Sequence, residues 1–288
     1  MRKLAMPSDA HVHPYYLARC DGGSEQTRRD EMIHCAASAF HEAEFCFNEA
    51  LMSAAQTPAM AVCFGVHPQL PAHNTKARLS REACFDTAQS LDFLQKLIRE
   101  KRIDALGEIG FDLYDGFYKT TESEQDVLFK EQLVLALEAG LPVVLHVRRA
   151  LHKIFTVSRE LRRLPAVVFH AYGGPLDEAR ALLRRGINAF FSFGAALTHN
   201  HKHALCTCAR LESSRLLFET DAPYQPLAGR AYSSYCDVYT IIEAAARLRG
   251  QDAKELINMS DATFKRIFLH RPQRCVDRGQ PVLLSSIH

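Results

Sequence analysis

Short apolar runs in this chain repeatedly end on a histidine or a carboxylate, the side chains that bind divalent cations and move protons. Ser8-Asp9-Ala10-His11-Val12-His13 opens the series; Ala105-Leu106-Gly107-Glu108, Val143-Val144-Leu145-His146, Ala166-Val167-Val168-Phe169-His170 and Leu216-Leu217-Phe218-Glu219-Thr220-Asp221 continue it. Parallel strands bring their carboxyl ends to one face, so these runs predict a shared metal site there. His11 and His13 are two residues apart, so on a strand both rings face one side and can grip one cation, with Asp9 beside them. Glu108 lies among apolar neighbours and flanking glycines, where a buried carboxylate needs a partner. A cation suits it, and two oxygens allow it to bridge two; a buried arginine is the alternative. His146 and His170 are expected at strand ends, as ligands or as hydrogen-bonded core histidines. Asp221 precedes Ala222-Pro223, and a proline-terminated strand presents a short carboxylate to an activated water. Glu219 falls one residue off that position and is read as structural.

Positioning such residues requires alternating strands and helices around a parallel sheet. The patterning predicts strands at Ser8 to Val12, Ala61 to Phe64, Ile103 to Leu106, Val143 to Leu145, Val167 to Phe169, Ala189 to Phe193 and Leu216 to Phe218. Helices are expected at Leu91 to Arg99, Glu124 to Ala139 with Gly140 as its stop, Leu176 to Arg185 before Gly186, Asp237 to Leu248, and Ala253 to Leu269. A closed barrel needs an eighth strand, and its place is around His34 to Phe40, where the alanine-rich sequence reads as helix. One α/β domain over residues 1–270 is expected, followed by a tail, 271–288.

The chain has 288 residues, 24% of them charged and 47% hydrophobic, which excludes a mainly disordered protein. A net charge of +2 neither requires nor excludes a polyanionic partner. Arg162-Arg163 and Arg184-Arg185 are read as solvated faces. Nine scattered cysteines without a Cys-x-x-Cys pair indicate reduced, mostly buried thiols rather than disulfides or a zinc ribbon. The start, Met1 to Met6, lacks a long apolar stretch, and no later run reaches membrane-spanning length. A cytoplasmic protein without a membrane partner is expected; its oligomeric state is left open, a monomer being one option. His199, His201 and His203 are read as a loop or helix-start feature.

The ordered set Asp9-Ala10-His11-Val12-His13, Gly65-Val66-His67-Pro68, Gly107-Glu108-Ile109-Gly110-Phe111-Asp112, Leu141-Pro142-Val143-Val144-Leu145-His146-Val147-Arg148, Phe169-His170-Ala171-Tyr172-Gly173-Gly174 and Glu219-Thr220-Asp221-Ala222-Pro223-Tyr224 resembles the TatD family of metal-dependent deoxyribonucleases. That family lies within the amidohydrolase superfamily, and the likeness runs from Ser8 to about Phe268. It implies a (β/α)8 TIM barrel with two divalent cations (Mg2+, Mn2+ or Zn2+) at the carboxyl ends of the strands. It also implies hydrolysis of DNA phosphodiesters, on single strands or at DNA ends, as an exonuclease. Carried over, His11, His13 and Asp221 would hold one cation and His146 and His170 the other. Glu108 would bridge them, Asp221 would act as base, and His67 and Arg148 would meet the substrate phosphate. The chain departs from the family in carrying Gly229-Arg230-Ala231-Tyr232-Ser233-Ser234-Tyr235 after the last strand and Arg149 where an Asp is usual. Two other readings stand beside this one: hydrolysis of a small ester, lactone, amide or phosphate ester on the same barrel, and a metal-stabilised binding protein without turnover.

Overall fold

Eight parallel strands alternate with helices in a computed structural model that describes residues 6–80 and 85–269, without the side chains of 77–80. The start of the chain and the tail, on which part of the sequence reading falls, lie outside these residues. The strands are β1 (Ser8–Val12), β2 (His34–Ala37), β3 (Met60–Phe64), β4 (Ala105–Asp112), β5 (Val143–Arg148), β6 (Val167–Phe169), β7 (Ala189–Phe193) and β8 (Leu216–Phe218), paired in sequence order. Beyond the ladder, Asp221 N–H donates to His11 O at 3.0 Å and His13 N–H to Ala222 O at 2.8 Å, drawing β8 against β1 in a nearly closed barrel.

The stretch read as helix, His34 to Phe40, supplies the missing strand, β2. The reason lies inside the barrel. Ala10, Ala36, Ala61, Ala105 and Ala166 pack there with Phe190, and with Phe264 and Phe268 from the C-terminal helical segment that plugs the floor. The three rings take up much of the space on the inner face, so on β1 to β4 alanines stand where strand propensity alone would not put them. Outward-facing residues such as Val62, Leu145, Phe169, Phe191 and Phe218 join the larger core beneath the helices.

Helix Glu122–Ala139 ends at Gly140 in the left-handed region, as its sequence predicts. Two of its polar residues are buried. Gln132 accepts from Val66 N–H at 2.7 Å and donates to Val66 O at 3.1 Å, while Gln125 accepts from Asp112 N–H at 2.8 Å. The helix therefore grips the backbone at the carboxyl ends of β3 and β4. Seven cysteines are described and all are free; Cys20, Cys46 and Cys206 are exposed, more than the sequence suggests. No helix among the described residues is long and apolar enough to cross a membrane.

Candidate metal centre

Strand parity decides which side chains enter the mouth. On β1, Ala10 faces the interior, so regular alternation would turn His11 outward. A bulge between Asp9 and Val12 shifts the register, and His11 and His13 face inward instead. A second bulge on β4, between Leu106 and Ile109, does the same for Glu108 and Asp112 after the inward Ala105. Gly110 follows with φ +138°, close against the His146 carbonyl, a place open only to glycine. On β5 no bulge is needed, since Val144, His146 and Arg148 share one face.

Glu108 lies at the centre, and its two oxygens face different partners. Oε1 is 3.1 Å from His11 Nε2 and 3.3 Å from His13 Nε2, and Asp221 Oδ1 lies 3.6 and 3.7 Å from the same two nitrogens. Oε2 is 2.8 Å from His170 Nε2, 3.3 Å from His146 Nδ1 and 3.5 Å from His67 Nε2. The groups His11, His13, Glu108 and His67, Glu108, His146 each offer donor atoms close enough to share one ion. His11 Nε2 is buried and has no hydrogen-bond partner, as expected of a nitrogen aimed at a cation. Four imidazoles, those of His11, His13 and His170 buried and that of His146 partly so, around two carboxylates are a donor set that fits a divalent metal.

Three of these four histidines are also hydrogen-bonded from the other nitrogen, and the fourth, His170, has a carboxylate near its Nδ1 without a hydrogen bond to it. Ser38 Oγ lies 3.1 Å from His11 Nδ1, Glu44 Oε1 3.0 Å from His13 Nδ1, Asp112 Oδ2 3.1 Å from His146 Nε2, and Glu219 Oε1 3.5 Å from His170 Nδ1. Such partners fix ring orientation and tautomer. Glu219, read from sequence as structural, is one of them; it also accepts from Ala171 N–H at 2.7 Å. Asp9 turns away from the cluster and takes Thr220 N–H at 2.9 Å and Thr220 Oγ1 at 2.6 Å, joining β1 to the end of β8. Sequence reasoning passed over Glu44 and Ser38, which no motif marks, and Asp112, which closes a run it did single out.

The electrostatics follow from this packing. Burial alone would raise the Glu108 carboxyl, but His11, His170 and His67 around it hold it well below its usual range. Burial opposes a charge on His13, yet Glu108 and Glu44 push it up to about 10. Burial raises Asp221 despite the neighbouring histidines. Burial likewise lowers His67 to about 4, so it is a neutral ring. Its Nδ1 accepts from Gln69 N–H at 3.2 Å, which leaves the proton on Nε2 and makes that atom a donor into the site.

Arg148 stands at the exposed end of β5 with its guanidinium 3.6 Å over the Tyr114 ring, and Arg149 lies 4.6 Å from the same ring. Neither arginine has an ion-pair partner among the described residues. The divergent 229–235 segment folds back on the turn after Asp221: Ser233 N–H donates to Pro223 O at 3.1 Å, and Tyr235 is buried. His201 caps helix Lys202–Arg210 and stays apart from the cluster.

A family model described as TatD related DNase matches residues 8–269. The chain belongs to that family. A TatD described as a 3′-5′ ssDNA/RNA exonuclease, from Cronobacter sakazakii, is 33% identical over 208 residues, spanning 65% of this chain and 78% of that protein. A TatD homologue from Escherichia coli, YjjV, superposes with a TM-score of 0.74 at 26% identity, over 92% of this chain and 98% of its own. An amidohydrolase from Saccharomyces cerevisiae shares the fold, with a TM-score of 0.72 at 16% identity, over 91% and 99% of the two chains. Membership in the TatD family makes the protein a metal-dependent hydrolase.

Proposed function

We propose that the protein hydrolyses phosphodiester bonds of DNA, removing nucleotides from the end of a strand, with two divalent cations sharing Glu108. The division of Glu108's oxygens between two sets of donors carries this reading. In it, His11, His13 and Asp221 would hold one cation, and His146 and His170 the other. When bound, the cations supply Lewis acidity toward a phosphoryl oxygen and acidify a water. Asp221 takes the proton of the attacking water at its carboxylate; burial raises its affinity for that proton, which suits a general base. Gln225 Nε2 donates to Asp221 Oδ2 at 2.6 Å and orients it. His67 donates from Nε2 to a phosphoryl oxygen, and Arg148 at the rim binds the phosphate as it arrives. The likeness to the Cronobacter sakazakii TatD, a 3′-5′ ssDNA/RNA exonuclease, supports a single-stranded substrate and a 3′ to 5′ direction.

End-labelled single-stranded DNA, incubated with Mg2+, Mn2+ or Zn2+ or with chelator, tests the proposal. The expected result is a metal-dependent ladder shortening from the 3′ end, lost in Glu108→Ala. An intact strand under every metal condition would move the reading to small esters or amides.

A further inference from the structure

The mouth is asymmetric. On the β8–β1 side an aromatic path leaves the metal centre: the rings of His13 and Tyr224 are 5.3 Å apart, Tyr224 and Tyr16 6.2 Å, and Tyr16 and Phe40 6.0 Å in near-parallel stacking. Tyr224 is 45% exposed although it is an aromatic residue three positions from Asp221. Its backbone is fixed, with its N–H on Asp221 O at 2.7 Å and its carbonyl taken by Ser233 Oγ from the divergent 229–235 segment. The backbone beneath the ring is thus held in place while nearly half of the residue stays open to solvent. Across the barrel, where β5 stands opposite β1 in the strand order, Arg148 and Arg149 gather on Tyr114 with no carboxylate among the described residues paired to either. Tyr114 is tied to the centre in turn, since its N–H donates to Asp112 Oδ1 at 2.9 Å.

Resting on the phosphodiesterase reading above, we propose that an unpaired nucleic-acid strand crosses the mouth with its bases stacked on Tyr224, Tyr16 and Phe40 and its phosphates on Arg148 and Arg149. Stacking surfaces opposite guanidinium groups that no described carboxylate neutralises, Arg149 Nη1 donating only to Tyr114 O at 3.2 Å, match the two faces of a single strand, whose bases are free to stack. In a duplex the base faces are covered by the neighbouring base pairs, so the arrangement selects unpaired ends. The Arg149 position, acidic in the family pattern, adds a second phosphate contact in this chain.

The test compares a single-stranded oligonucleotide with one of the same length built of abasic sugar-phosphate units. Wild type is expected to show a KM at least about tenfold lower for the base-bearing strand, the worth of one or two stacked bases. In Tyr224→Ala that ratio shrinks about tenfold. In Arg149→Asp both strands weaken together, and the slope of log K against log salt becomes shallower by about one. Equal KM values for the two strands in wild type, or an unaltered ratio in Tyr224→Ala with an unchanged melting temperature, would overturn the proposal. Binding of both strands in chelator, read by fluorescence anisotropy, separates the two readings. A preference for bases without cleavage retains the shelf and removes the phosphodiesterase; cleavage without a preference does the reverse.

Discussion

Glu44 is the carboxylate whose removal tests how far the metal centre depends on groups that never touch a cation. It is fully buried, places Oε1 3.0 Å from His13 Nδ1, and takes Phe40 N–H on Oε2 at 3.0 Å. In Glu44→Gln one oxygen becomes an NH2, so one of those two donors meets another donor. The misplaced pair costs about 1–3 kcal/mol of stability. Loss of the carboxylate behind His13 is a separate effect, and partners of this kind are worth about ten- to hundredfold in metal affinity. That corresponds to about 1.4–2.8 kcal/mol of binding free energy. Competition against a chromogenic chelator gives the metal Kd, and urea unfolding of metal-free protein gives the stability change. A lower urea midpoint with wild-type metal affinity would refute the reasoning, leaving Glu44 as a support of the 38–41 loop alone.

Three further outcomes follow from particular contacts. Gly110→Ala places a methyl group against the His146 carbonyl at a positive φ, and should lower stability by about 3 kcal/mol or more in urea unfolding. Glu219→Gln removes the charge behind His170 and should reduce kcat/KM about ten- to hundredfold while the circular-dichroism spectrum stays native. His34 sits buried at the far end of the barrel, with its Nδ1 accepting from Ala59 N–H at 2.8 Å, and burial lowers its pKa from 6.5 although Asp261 opposes this. The unfolded chain therefore binds the extra proton as pH falls through about 6.5, and the stability His34 contributes is lost on the acid side. The stability advantage of wild type over His34→Gln should shrink between about pH 8 and about pH 5 in urea unfolding; a constant difference would count against it.

The strand ends were legible because each needs only a local signal, an apolar run closed by a polar residue, as at Val143-Val144-Leu145-His146. β2 was not. Ala36, Ala37 and Ala39 favour helix locally, and only Phe264 and Phe268, more than two hundred residues away in sequence, make an alanine the right filling at position 36 on the inner face of that strand. Parity was hidden for a related reason: the bulges on β1 and β4 move His11 and Glu108 to the inner face, and a bulge has no composition of its own. The supporting partners are harder still. Glu44 and Gln132 lie on helices whose polar residues look solvated, and each is buried by one backbone group from a neighbouring loop. Arg148 was read as a phosphate ligand, and the fold adds what sequence could not, its stacking on Tyr114 beside Arg149.

Metal content and turnover, measured together on wild type and Glu108→Ala, test the central claim that one carboxylate joins two cation sites. After loading with Mn2+ and removal of excess, mass spectrometry for metal should find two ions per wild-type chain and at most one in the variant. Cleavage of single-stranded DNA should fall at least about a thousandfold with it, as loss of a bridging ligand removes both Lewis acidity and water activation. Two ions per chain and full turnover in Glu108→Ala would contradict the account.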